Sequence, residues 1–94
     1  MMNVKEAVQT AKEHVVDLFD GEDIDFVGLE EVVFDDESNH WLITIGFSRP
    51  WDRPKTLSAA LREEPLRRSY KTVHIDDADG RVISLKDRIL TVVE

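Results

Sequence analysis

The chain has 94 residues, 41% hydrophobic and 34% charged, which is the composition of one folded domain rather than a disordered segment. Twenty acids against twelve bases leave a net charge of −8, and that balance argues against direct binding to nucleic acid or anionic membrane, where phosphates demand Lys and Arg. The absence of cysteine excludes a disulfide framework, a thiolate zinc site and a cysteine nucleophile.

Nothing at the start reads as a signal peptide, and no apolar run approaches the roughly 18 residues of a membrane span. The expected location is the cytoplasm. The first predicted element is a helix. Val4, Ala7, Val8, Ala11, Val15, Leu18 and Phe19 recur at helical spacing and define one buried face. Asn3 and Glu6 form a capping-box pattern. Gly21 is the candidate left-handed terminator.

From Phe26 the period changes to two. Leu29, Val32 and Phe34 read as an inward face, but the step from 29 to 32 breaks parity, and a bulge at Glu30-Glu31 would restore it. Asp35 to Asn39 is a polar turn. His40 to Ser48 then alternates, with Trp41, Ile43, Ile45 and Phe47 facing one way and Leu42, Thr44 and Gly46 the other.

Residues 49–67 interrupt the pattern as a long loop insertion, in which Leu57, Ala60 and Leu61 can share one face of two helical turns before Pro65. A second hairpin follows. Val73 and Ile75 point inward, Tyr70, Thr72 and His74 outward, and Gly80 supplies positive φ in the turn. Ile83 and Leu85 are expected inward, with Ser84 and Lys86 outward. The fold class is therefore a single two-layer α+β domain, with the N-terminal helix packed on an antiparallel meander of three to four strands.

The segment Tyr70-Lys71-Thr72-Val73-His74-Ile75-Asp76-Asp77-Ala78-Asp79-Gly80-Arg81-Val82-Ile83, with the preceding order of helix and meander, resembles a PepSY-type domain. That resemblance implies a binding or inhibitory module rather than an enzyme, with proteases among the targets.

The chemical templates fail one by one. Gly80 at the sixth position of a calcium loop would put Ile75 first and Lys86 twelfth, so Asp76, Asp77 and Asp79 read as turn residues, not metal ligands. His14, His40 and His74 lie on three elements without metal spacing. No serine stands in a nucleophile elbow or SxxK pattern, and four glycines form no phosphate cradle. Adjacent carboxylates such as Glu30-Glu31 and Asp35-Asp36 read as solvated charge. The expectation is a protein that is not an enzyme and needs no cofactor or metal.

Charge segregation carries the functional reading. Seven bases against three acids between Arg49 and Lys71 give that stretch +4, so with −8 overall the remainder carries −12. Within it, Trp51 lies between Arg49 and Arg53, residue types enriched at binding hot spots. Trp51 is equally suited to folding back over the end of the core. The candidate binding residues are Arg49, Trp51 and Arg53 in the loop and Tyr70, Thr72 and His74 on the outer sheet face. The leading function is a small non-catalytic module (inhibitor, immunity-type or adaptor) for an unknown protein partner. The alternatives are a small-ligand pocket between helix, sheet and the 49–67 loop, and a nucleic-acid mimic built on the acidic surface. A homodimer is expected through an open sheet edge or the apolar tail from Ile89 to Val93.

Overall fold

In a computed structural model, residues 1–50 and 68–88 are described. Helix α1 (Val4–Leu18) is followed by strands β1 (Asp25–Asp35), β2 (His40–Ser48), β3 (Ser69–Asp76) and β4 (Val82–Asp87). The strands form one antiparallel sheet in the order β1-β2-β3-β4, so the α+β fold with one helix on an open meander is as expected. Among the described residues, no helix is long and apolar enough to cross a membrane. The helical turns expected at 56–64 and the tail 89–93 lie outside the described residues.

The helix begins as its sequence dictates. Asn3 Oδ1 accepts the Glu6 amide at 2.9 Å, and Glu6 Oε1 accepts the Asn3 amide at 3.1 Å, so the capping box satisfies two amides that the helix leaves without partners. Its end differs from expectation. Phe19, not Gly21, caps α1 with φ −101°, and among the described glycines Gly80 takes positive φ. The reason is packing: Phe19 drops onto the sheet, its ring centroid 5.1 Å from that of Phe47.

Ala7, Ala11 and Val15 form the buried seam of α1, a row at i, i+4 spacing that ends on Phe19. Small side chains let the helix lie close over Ile43, Ile45 and Phe47 of β2 and Val73 and Ile75 of β3, all fully buried. Val4 and Leu18, expected in the buried stripe, are 47% and 58% exposed because they flank this narrow seam.

Two parity breaks shape the outer strands. Leu29 faces Ile45 and Glu31 faces Thr44, so Glu30 is the extra residue and the anticipated bulge is present. A second irregularity near Phe26, with φ 56°, is not signalled by the residue pattern. In β4 the expectation for Ile83 is corrected. Ile75 faces Val82 and His74 faces Ser84, so Ile83 is bulged out at 44% exposure while Val82 packs on the core beside Leu85.

Asp77 fixes the helix to the sheet. Its Oδ1 accepts the Trp41 indole N–H at 2.9 Å and the Met2 amide at 3.1 Å. The Trp41 and Met2 hydrogen bonds hold its carboxyl below the ordinary aspartate range. Asp76 and Asp79 accept the amides of Ala78 and Arg81, the local turn bonding expected of aspartate.

Candidate protein-binding surface

The sheet face away from α1 gathers three of the predicted residues. Alternation along β3 puts Tyr70, Thr72 and His74 on one side, and the register sets them beside Gly46, Thr44 and Leu42 of β2. The Thr44 and Thr72 hydroxyls are 3.0 Å apart, and Thr44 is only 1% exposed. Leu42, Tyr70, Thr72 and His74 are half-buried, so this face is less open than a solvated sheet surface would be. Burial first, then the charges of Lys86 and His40, lowers the His74 pKa from its ordinary value.

Two ion pairs reach over this face. Arg68 Nη2 lies 3.2 Å from Glu30 Oε1 and donates to the Phe26 carbonyl at 2.9 Å. Gly46 makes room for that pair, since a Cβ there would lie 2.7 Å from Glu30 Oε1. Arg88 Nη2 lies 3.8 Å from Glu31 Oε1, joining the two outer strands. Three strand spacings of about 4.8 Å separate those strands, so both side chains must lean across the Thr44–Thr72 row.

The structure does not bring Arg49 to that face. Its guanidinium carbon lies 5.0 Å from the Phe19 centroid and 5.6 Å from the Phe47 centroid, with Glu22 at 3.8 Å, on the helix side of the sheet. Lys71 adds a second cation 5.8 Å from Phe19 and pairs with Asp87, whose carboxyl that hydrogen bond and charge hold below the usual range. Arg49 therefore covers the end of the core, with cation–π geometry. Trp51 and Arg53 lie outside the described residues.

The carboxylates described so far accept turn amides, an indole or basic side chains. Asp35 likewise accepts the Ser38 hydroxyl at 2.9 Å and the Glu37 amide at 3.1 Å, and these bonds lower its pKa. Among the described residues, no group of three or more His, Asp or Glu is placed to hold a metal ion.

The residue pattern located β1 but not its exposure: Leu29 and Phe34, expected to face inward with Val32, keep much of their surface in water. Phe26 is 66% exposed, Leu29 44%, Val33 43% and Phe34 40%, more large apolar exposure than any other strand carries among the described residues. Leu29 also lines a shallow groove with Val4, Lys5, Val8 and Gln9 of α1. A signal for this region was present: from Phe19 to Glu37 there are nine acids and no base. The chain matches no family model, and no curated protein or solved structure matches it either.

Proposed function

We propose that this chain is a small non-catalytic protein-binding module, of the inhibitor, immunity-type or adaptor kind, and that β1 is its principal contact element. The observation that carries this reading is the exposure of Phe26, Leu29, Val33 and Phe34 on the outer strand of an open sheet. Exposed apolar groups rimmed by charge favour association, because a partner removes them from water. The PepSY-type likeness of residues 70–83 supports the same class of function. Tyr70, Thr72 and His74 form the second contact surface, on the face flanked by the Glu30–Arg68 and Glu31–Arg88 pairs.

The test is quantitative capture from lysate of the source cells, using wild type and two variants checked for folding by circular dichroism. One variant carries Leu29→Lys with Val33→Lys, the other Tyr70→Ser with His74→Ser. A specific protein held by wild type and lost by the first variant is the expected result. Loss only in the second moves the contact to the β3 face. A partner held equally by all three, or none held by wild type, overturns the reading of these surfaces.

A further inference from the structure

We propose that the edge of β1 takes an extended peptide segment, apolar at its centre and basic at both ends, as an added strand. This rests on the protein-binding reading and names the chemistry of the partner. The run Glu31–Asp35 pairs regularly with β2, from Glu31 facing Thr44 to Asp35 facing His40. Backbone parity identifies its outward groups. The Arg88 amide donates to the Tyr70 carbonyl, so Tyr70 turns its backbone toward β4. By antiparallel alternation, Lys71, Val73 and Ile75 then bond to β2, while Leu42 and Thr44 bond to β1. Val33 and Glu31 are consequently bonded inward, and the N–H and C=O groups of Val32 and Phe34 point away from the sheet.

Among the described residues, β2 is the only strand paired with β1. Natural edges are blunted by bulges and charge, and β1 has both, but its bulges precede Glu31 and leave the regular run open. The side chains beside that run are apolar and half-exposed at Val33 and Phe34. Phe26, held in a left-handed conformation rare for an aromatic residue, is exposed farther along the same strand.

Charge selects the occupant. Asp35, Asp36 and Glu37 stand at one end of the run, and at the other stand Glu30 and Glu31, whose carboxylates already meet Arg68 and Arg88 and would be shared with an incoming base. A second copy of this chain is disfavoured by charge: each copy carries −8, and antiparallel self-pairing about Val33 would put Glu31 opposite Asp35 at both ends, where like charges are destabilising. A segment with Lys or Arg at each end meets opposite charge at both, which favours it over neutral or acidic strands. Main-chain bonds would supply affinity, and alternate side chains selectivity.

The experiment uses the full chain and a fluorescein-labelled heptapeptide with Val-Thr-Val at its centre and two lysines at each end. Fluorescence anisotropy is compared with a peptide bearing glutamates in place of the lysines, and with one N-methylated at alternate amides. Saturable binding of the lysine peptide is expected, weaker by about tenfold or more for the other two, and falling as salt rises. Amide exchange at Val32 and Phe34 should slow on binding, while the Val33 amide, already bonded to β2, should change little. Equal binding of the N-methylated peptide overturns strand addition, and equal binding of the glutamate peptide overturns the charge assignment. Self-association of the chain alone with slowed exchange at Val32 and Phe34 makes a second copy the occupant and overturns the proposal. Failure of the lysine peptide to bind overturns the basic-strand proposal while the lysate capture, read independently, still scores the wider reading.

Discussion

The sheet is treated differently at its centre and at its first strand. Under α1, the side chains of Ile43, Ile45, Phe47, Val73 and Ile75 are wholly withdrawn from water. On β1 residues of the same chemical type remain 40–66% exposed at Phe26, Leu29, Val33 and Phe34. The helix accounts for part of this. Its contact seam is one row of small residues, Ala7, Ala11 and Val15, packed closely on the buried side chains of β2 and β3, whereas Val33, opposite Leu42, lies on the sheet face away from α1. Buried and exposed apolar surface therefore occupy neighbouring strands, and equal-looking substitutions should have unequal effects on the two sides.

The sharpest contrast uses two phenylalanines. Phe47 is fully buried between Phe19 and the sheet, so Phe47→Ala should cost about 3–5 kcal/mol in urea unfolding, through lost burial and the cavity left behind. Phe34 is 40% exposed and keeps one ring neighbour, Trp41, at 4.9 Å. Phe34→Ala should cost roughly 1 kcal/mol, the scale of an aromatic pair. Equal losses would mean that β1 belongs to the core after all.

Tight seating of the helix predicts the next effect. Ala11 has no exposed surface, so Ala11→Leu must push α1 from the sheet or force strained rotamers, at about 1–3 kcal/mol. The same change at exposed Val16 should be nearly silent. Denaturant midpoints of the two variants decide it, and a silent Ala11→Leu would refute the close approach.

What was legible in the residues was local. Asn3 and Glu6 announced the helix start, alternation from Trp41 to Phe47 announced β2, the parity break at Glu30 announced a bulge, and Gly80 announced the turn. Each depends on neighbours a few positions away. Ile83 misled because Val82 and Ile83 are both apolar, and only the register with Ile75 and His74 decides which faces inward. Gly21 was a plausible stop, but burial of Phe19 against Phe47 ended the helix first. The exposure of β1 depends on what packs against both faces of the sheet, which no window of sequence contains. Among the site residues, alternation alone grouped Tyr70, Thr72 and His74, whereas the place of Arg49 over two rings required tertiary contacts.

His74 gives the outer face a pH signature near neutrality. Its folded pKa is lowered, chiefly by burial, so above the unfolded value of about 6.5 both states are neutral and stability is complete. As pH falls through that value, the unfolded chain takes up a proton before the folded one does, and stability declines until folded His74 also protonates. His74→Gln should remove this component. Urea midpoints for both proteins between about pH 7.5 and 5.5 supply the measurement, and parallel curves would show that burial of His74 has no energetic consequence.

Phe26 separates the two regions most finely. A left-handed conformation costs a residue with a Cβ about 1–2 kcal/mol. The ring gains little burial in return at 66% exposure, although Arg68 binds the carbonyl at 2.9 Å. Glycine relieves that strain but loses more chain entropy on folding, so Phe26→Gly should change stability by less than about 1 kcal/mol, in either direction. Binding should respond differently, because glycine removes an exposed aromatic surface that a peptide extending along β1 would cover. The variant should therefore unfold at nearly the wild-type midpoint and still bind the lysine peptide more weakly. Unchanged binding would exclude the ring from the contact, and a large stability loss would assign Phe26 to the packed half of the molecule.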